Sequence, residues 1–240
     1  MNKLFLAVTA VTAFGLSASP ALADAITIDN SSIGTDYTLN YDGFSDGTSI
    51  SGLTGSTTFK LTGISGNDYT FSYNVANTSS TPITGSRISS FAFNTDPNIT
   101  AASSTGAFSY TTLNSTYPNG IGNIDVCFKD ASTGSCAGGG SGGLTMGQTG
   151  SGSFTLSFSQ PISSLTLSDF YVRYQSISGA GNITSASGSG TLTSSSTSSG
   201  GTSVPEPGML GLMSVALIGT ALLHRRRFPA RAASGRLTYS

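Results

Sequence analysis

Few residues between positions 24 and 203 could perform acid–base or nucleophilic chemistry. This stretch contains no histidine and no glutamate, so a Ser–His–Asp arrangement is excluded within it. A glycosidase needs two carboxylates, and Asp42 and Asp46 are the nearest candidates for such a pair. Each of them precedes a glycine, a pattern more typical of a turn. The sequence therefore predicts no catalytic residues and a protein that is not an enzyme.

The same stretch offers ligands for one kind of metal ion, calcium, which accepts carboxylate and carbonyl oxygens. Two groups of side chains contain such oxygens: Asn40, Asp42 and Asp46, and Asn94, Asp96 and Asn98. Neither group completes the spacing of an EF-hand, and loop-forming roles account for both. The single histidine, His224, lies outside the stretch. We therefore expect no bound metal and no cofactor.

The two cysteines of the chain, Cys127 and Cys136, are predicted to form a disulfide. The export signals described below place them in an oxidising compartment, where paired cysteines are common. The bridge would close a small loop behind the strand-like stretch 123–128. It would stabilise the fold by roughly 2–3 kcal/mol through the unfolded state. A redox or metal-binding pair is the alternative, but a metal site needs further ligands.

A glycine-rich stretch, AGGGSGG at residues 137–143, follows the second cysteine. Such a loop can bind phosphate when its spacing fits and a helix begins directly after it. Neither condition is met here. The sequence therefore predicts a flexible loop beside the disulfide rather than a phosphate site.

Charge between positions 24 and 203 is sparse and mostly negative. Four basic residues, Lys60, Arg87, Lys129 and Arg173, stand against ten aspartates, a net charge of −6. Nucleic-acid binding requires clusters of basic side chains that neutralise phosphates, and this stretch contains none. We therefore expect no nucleic-acid partner.

Strands must position these side chains, because hydrophobic residues recur at every second position. The alternation runs through six stretches, around Tyr37, Phe59, Tyr69, Ile124, Phe154 and Phe170. Period-two patterns bounded by glycine, asparagine and serine are typical of half-buried strands, and residues 66–68 (GND) are predicted to form a turn. The fold predicted for residues 24–184 is all-β, an antiparallel β-sandwich of jelly-roll or Greek-key type. Residues 185–203, almost entirely Ser, Gly and Thr, are predicted to be a flexible linker.

The N-terminus has the features of a secretory signal peptide. Lys3 precedes an apolar run at residues 4–16, and Ala21-Leu22-Ala23 forms a small-x-small cleavage site. We predict a signal peptide at residues 1–23 and export across the inner membrane by the Sec machinery.

The C-terminal region has the features of a membrane anchor. Residues 209–223 carry no charge and, as a helix, would extend roughly 22 Å, shorter than a ~30 Å hydrocarbon core. Pro205 and Pro207 limit the helix upstream. The cluster Arg225, Arg226 and Arg227 ends it, where long arginine stems reach the headgroups and hold that end in the cytoplasm. We predict a transmembrane helix followed by a cytoplasmic tail at residues 228–240.

The order of these C-terminal features resembles a known sorting signal. Val204, Pro205, Glu206 and Pro207, an apolar helix and an arginine cluster together resemble the PEP-CTERM signal of Gram-negative bacteria, over residues 204–227. The resemblance implies processing by an exosortase and association with exopolysaccharide and the biofilm surface. Here the tail 228–240 extends beyond the point where the family signal usually ends.

The body of the chain resembles the cistern family of PEP-CTERM proteins. The residues that carry this similarity lie at 77–80, 86–97, 125–128, 136–140 and 171–176. The resemblance implies an exported protein without a known biochemical role.

Two functions are consistent with these features. The first is a structural component of the cell surface or extracellular matrix. The alternative is a carbohydrate-binding sandwich that holds exopolysaccharide, with Tyr171 and Arg173 as candidate ligand contacts on the strand face opposite Phe170 and Val172. If both faces of that strand are covered, Arg173 would instead satisfy a buried aspartate.

Overall fold

The computed structural model describes residues 24–133 and 135–197 of the 240-residue chain. The predicted signal peptide, the sorting signal with its transmembrane helix, and the tail 228–240 lie outside the described residues. Within the described ranges, no helical segment has the length and hydrophobicity of a membrane span.

The described chain consists of twelve antiparallel strands and one short 3-10 helix at Asn30–Ser32. The strands are β1 (Ile26–Ile28), β2 (Thr35–Ser45), β3 (Thr48–Ser65), β4 (Asp68–Asn77), β5 (Gly85–Asp96), β6 (Ala101–Gly106), β7 (Tyr110–Tyr117), β8 (Gly122–Lys129), β9 (Leu144–Thr145), β10 (Thr149–Ser157), β11 (Leu165–Ser178) and β12 (Ser185–Thr197).

All twelve strands belong to one sheet, in the order β6-β10-β4-β3-β2-β12-β11-β5-β8-β7, with β1 beside β11 and β9 beside β5. The end strands β6 and β7 are joined by a short connection and approach each other, so the sheet nearly closes on itself. The prediction of an all-β antiparallel fold is confirmed. The prediction of two stacked sheets is wrong, because hydrogen bonds run continuously from β6 round to β7 and enclose the core within one sheet.

The core is formed by the residues that the alternation predicted to point inward. Tyr37, Phe59, Phe71, Phe154 and Val172 are all buried, and their neighbours at every second position join them. Phe59 lies centrally, with the rings of Phe91, Phe93, Phe154 and Phe170 at 5.7 to 6.1 Å. The predicted turn is confirmed as well: Gly66, with a φ of 60°, joins β3 to β4.

The predicted linker is wrong over residues 185–197, which form β12 between β2 and β11. Its glycines make room for large neighbours. A Cβ on Gly188 would lie 2.9 Å from the Tyr174 ring, and one on Gly190 would lie 2.7 Å from the Tyr41 ring. The strand therefore contributes backbone hydrogen bonds, while β2 and β11 supply the hydrophobic side chains that cover it. Residues 198–203 of the linker lie outside the described residues.

Candidate functional site

The outer face of β5 is covered, unlike the outer faces of most strands. Every residue from Ser86 to Phe93 is buried, which a strand with one solvated face cannot show. Ile88, Phe91 and Phe93 belong to the core inside the sheet. The opposite side chains lie beneath the segment 130–143, which includes the glycine-rich stretch. We refer to this segment as the covering loop.

Arg87 holds the covering loop against the sheet. Its Nη1 donates to Asp130 Oδ2 at 3.0 Å and to the carbonyl of Gly142 at 2.7 Å. Its Nη2 donates to the carbonyl of Gly139 at 2.7 Å and to Gln175 Oε1 at 2.5 Å. The side chains of Arg87 and Asp130 are only 7% and 2% exposed. A buried ion pair needs such additional hydrogen bonds to offset its loss of hydration.

The partners of Arg87 are themselves tied to the loop backbone. Asp130 Oδ1 accepts from the N–H of Gly139 at 2.7 Å, and Gln175 Nε2 donates to the carbonyl of Ala137 at 2.5 Å. The prediction of a flexible loop at 137–143 is therefore wrong. We call this group of Arg87, Asp130 and Gln175 with the loop carbonyls the Arg87 network.

Glycine is required at two positions of the covering loop. Gly138 and Gly143 have φ angles of 76° and 74°, a region that disfavours other residues. A Cβ would lie 2.6 Å from Ser89 Cβ at the first position and 2.3 Å from the Ile88 carbonyl oxygen at the second. The glycines of this stretch thus allow close packing on β5 instead of mobility.

The disulfide Cys127–Cys136 is present, as predicted, and both cysteines are fully buried. It fastens the middle of the covering loop, at Cys136, to β8. Two serines of β5 fasten it further, because Ser90 Oγ donates to the carbonyl of Cys136 at 2.6 Å and Ser89 Oγ to that of Ala137 at 2.7 Å. Covalent and polar contacts therefore secure the same segment.

The two candidate ligand contacts lie on the outer face of β11, as predicted, but they do not form a solvated surface. Arg173 is 7% exposed, so the expectation that it contacts a ligand is wrong. Tyr171 is half-buried, and its ring lies 5.8 Å from that of Tyr117. The covered-face alternative is correct in part. This alternative predicted that Arg173 pairs with a buried aspartate. Among the described residues, the arginine that pairs with a buried aspartate is Arg87, and its partner is Asp130.

The Nη1 of Arg173 has an amide rather than a carboxylate as its partner. The Asn119 side chain faces three donors, Ser187 N–H at 2.8 Å, Ser187 Oγ at 3.2 Å and Arg173 Nη1 at 3.2 Å, so its oxygen accepts from all three. Arg173 Nε has no hydrogen-bond partner among the described residues. Burial lowers the pKa of the Arg173 guanidinium, because removal from water disfavours the charged form.

A cavity of about 430 Å³ opens beside the Arg87 network. Most of its lining residues are small and carry hydroxyl groups, including Thr84, Ser86 and Thr145, and Met146 adds one long apolar side chain. Arg87 also borders it, but all of its assigned hydrogen bonds go to the covering loop, Asp130 and Gln175. The cavity therefore presents hydroxyl groups together with the apolar side chain of Met146.

The aspartates considered for catalysis or calcium have structural positions. Asp46, with a φ of 49°, forms the turn between β2 and β3 as predicted, whereas Asp42 lies within β2 and not in a turn. The Asn94 side chain bonds Asp169 Oδ2 and the Asp125 N–H. Among the described residues, no group of three acidic, histidine or cysteine side chains is placed to hold a metal ion.

The sequence did not predict the Arg87 network. Its members are separated by 43 and 88 residues along the chain, so their proximity has no local signal. One indication was available: Arg87 is one of only four basic residues between positions 24 and 203, and it lies in a stretch otherwise composed of small and hydrophobic residues.

The predicted sorting residues, Val204, Pro205, Glu206 and Pro207 with Arg225, Arg226 and Arg227, lie outside the described residues. Comparison with protein-family models finds the PEP-CTERM protein-sorting motif at residues 203–227. Neither the curated proteins nor the solved structures contain a significant match to the chain, and the resemblance to the cistern family is not confirmed. The chain therefore carries a PEP-CTERM protein-sorting motif, which implies an exported, surface-sorted protein with an exosortase as its processing partner.

Proposed function

We propose that this protein is a non-catalytic structural component of the cell surface or extracellular matrix, associated with exopolysaccharide or biofilm. The observation that carries the proposal is the PEP-CTERM motif at residues 203–227. In this proposal Sec exports the chain, a C-terminal helix anchors it transiently in the inner membrane, and an exosortase then processes it.

The described body supports a structural role. Its charged side chains are few, and the buried ion pair Arg87–Asp130 is committed to holding the covering loop. Residues 24–203 contain no histidine and no glutamate, the side chains most often used with aspartate for proton transfer. A disulfide and a nearly closed sheet suit a protein that persists outside the cell, because they leave little backbone for proteases to open.

The sorting step can be tested by replacing Pro205, Glu206 and Pro207 with alanine in the producing host. We expect the variant to accumulate as an unprocessed precursor in the membrane fraction. A matched control replaces Gly200, Gly201 and Thr202 with alanine, and this variant should be processed like the wild type. Processing and release of the first variant at the wild-type level would refute the proposal.

The second candidate function is a carbohydrate-binding module. Burial of Arg173 leaves only the half-buried Tyr171 of the surface that the sequence suggested for it. A different surface favours this function: the outer face of β2, β3, β4, β10 and β6, the strands that follow β12 in the direction away from β11.

A further inference from the structure

One face of the sheet is covered with small hydroxyl side chains. Four adjacent strands, β10, β4, β3 and β2, alternate between core residues and outward residues, and β6, whose residues are all half-buried or exposed, borders them. We call their outward side chains the hydroxyl face; it is centred on Thr38, Thr58, Thr70, Thr105, Ser153 and Thr155. These side chains are half-buried or exposed, and the covering loop lies elsewhere, on β5.

The strand register places these side chains in continuous rows across the sheet. Thr38 is paired with Thr58, Thr58 with Asn74, and Asn74 with Ser151, so one row crosses four strands. Adjacent strands lie roughly 5 Å apart, and outward residues follow one another at roughly 7 Å along a strand. The face is therefore a regular array of hydrogen-bonding groups.

Lateral hydrogen bonds hold the hydroxyl groups in place. Thr38 and Thr58 lie 3.1 Å apart, Thr70 and Thr155 lie 3.2 Å apart, and Thr105 and Ser153 lie 2.9 Å apart, in each case between side-chain oxygens. A hydroxyl group has one donor and two acceptor sites, so each paired group retains capacity toward solvent. Groups that are already ordered lose less conformational entropy when a ligand binds.

The chemistry of this face excludes most classes of partner. Its cation, Lys60, is neutralised by Asp36 at 3.0 Å, which leaves nothing to attract phosphates. Protein interfaces need a dry centre rich in aromatic and other large apolar residues. Over residues 36–40, 54–60, 70–76, 103–105 and 151–155, the outward positions of these strands carry no such side chain. A neutral partner that both donates and accepts many hydrogen bonds is the complement that remains.

We propose that the hydroxyl face binds a neutral polysaccharide. This inference rests on the proposed function, because only an exported chain meets the polymers outside the cell. Each hydrogen bond to the polysaccharide replaces hydrogen bonds to water, so by itself it contributes little to the binding free energy. Affinity must therefore come from many bonds along one polymer, and it rises with chain length because each further contact is intramolecular.

The test measures retardation of the full-length chain, purified in mild detergent, in native gels that contain dextran, glucomannan or dextran sulfate. We expect at least one neutral polymer to retard the chain. Dextran sulfate should retard it no more than dextran does. Oligosaccharides of three units derived from the neutral polymer that binds should cause no retardation. The variant Thr38→Val/Thr58→Val/Thr70→Val/Thr155→Val removes four hydroxyls and keeps side-chain shape. It should weaken binding about tenfold or more.

A matched control removes hydroxyls from another part of the sheet. Thr27 and Thr166 are paired between β1 and β11, and Thr27→Val/Thr166→Val should bind like the wild type. Circular dichroism establishes folding, and Ser153→Lys, a single outward change, provides a second variant that should also weaken binding.

Three outcomes would overturn the inference. The first is that the chain binds no neutral polymer, and the second is that the folded quadruple variant binds as well as the wild type. The third is that the chain forms a dimer through the hydroxyl face and that the valine changes abolish this dimer. The last would identify a second copy of the chain as the occupant. Processing in the host is measured separately, so a chain that is sorted correctly but binds no polysaccharide refutes this inference and leaves the proposed function standing.

Discussion

The guanidinium of Arg87 lies 3.0 Å from the carboxylate of Asp130, and both side chains are almost completely buried where the covering loop meets the sheet. The pair connects β5 to the residue directly after β8. Through Arg87, the carbonyls of Gly139 and Gly142 are drawn onto the sheet as well. Arg87 thus acts together with the disulfide and the serines of β5 to hold the covering loop on the sheet.

Replacement of Arg87 should reveal how much the buried pair contributes. We expect Arg87→Met to lower the free energy of unfolding by about 3–5 kcal/mol, because it leaves the Asp130 carboxylate buried and unpaired. The control is Lys60→Met, which breaks the partly exposed pair with Asp36 and should cost at most about 1 kcal/mol. Urea denaturation followed by circular dichroism measures both. Equal losses in the two variants would contradict a special role for Arg87.

The disulfide should secure the same loop at Cys136, between the residues that Arg87 contacts. We expect Cys127→Ala/Cys136→Ala to lose roughly 2–3 kcal/mol, because the unfolded chain regains the entropy of a short closed loop. The wild type under reducing conditions should lose a similar amount once both buried thiols are reduced. A double variant as stable as the oxidised wild type would show that the bridge contributes nothing.

Loss of the hydroxyl group should change the stability of the fold in opposite directions at two buried tyrosines. Tyr174 is fully buried and its hydroxyl has no partner in the part of the chain that is described, so Tyr174→Phe should stabilise the fold by about 1 kcal/mol. Tyr41 lies 2.9 Å from the hydroxyl of Thr57, so Tyr41→Phe should destabilise it by about 1 kcal/mol. Thermal unfolding compares the two variants directly. Destabilisation by both would indicate that Tyr174 has an unrecognised partner.

A carboxylate at position 119 should improve the environment of Arg173. We expect Asn119→Asp to raise the free energy of unfolding by about 1–2 kcal/mol, because a charged acceptor then faces the buried guanidinium at about 3.2 Å. Aspartate also tolerates the φ of 64° at this position. Asn74→Asp, on an exposed strand position, is the control and should change little. A less stable Asn119→Asp variant would argue against the arrangement described for Arg173.

Stability should fall in alkaline solution. Burial raises the pKa of Tyr41, Tyr117 and Tyr174 above the ordinary value of 10.0, since their phenolates cannot be hydrated in the core. Above pH 10 the unfolded chain releases these protons and the folded chain retains them. The stabilisation is therefore complete below pH 10 and is lost as the pH rises above it.

Urea denaturation as a function of pH, with absorbance at a phenolate band, tests this behaviour. We expect ionisation of the buried tyrosines to coincide with unfolding, and stability of Tyr174→Phe to decline less steeply with pH than that of the wild type. Burial lowers the pKa of Lys129, so this residue makes the fold more stable as the pH rises toward 10.5, opposite to the effect of the tyrosines. The comparison is therefore made in the Lys129→Met background. Stability that stays constant above pH 10 would contradict the assignment.

Strand β11 shows how far pattern reasoning reaches. Its buried residues change from odd positions, Leu165 and Leu167, to even positions, Phe170 and Tyr174. The sequence displays this change of phase, but not how the backbone accommodates it. In the structure an irregularity in the pairing with β5 falls between Ser168 and Tyr171, where Asp169 has a φ of 53°. A bulge of this kind adds one residue and restores the inward direction.

The sequence by itself determined the strand class, the pairing of the two cysteines and the sorting motif. Each follows from local spacing or from a count: period-two hydrophobicity, two cysteines in all, and Pro205-Glu206-Pro207 before an apolar run and an arginine cluster. These signals need no knowledge of distant residues.

Only the tertiary structure decided that residues 185–197 form a strand, that the covering loop is held in place, and that Arg173 is buried. In each case the stabilising groups come from elsewhere in the chain. The rings of Tyr41 and Tyr174 fill the space above the glycines of β12, and Arg87 supplies the hydrogen-bond donors that the loop carbonyls require. Segments of Ser, Gly and Thr have no hydrophobic period of their own, so their conformation follows from the neighbours that pack against them.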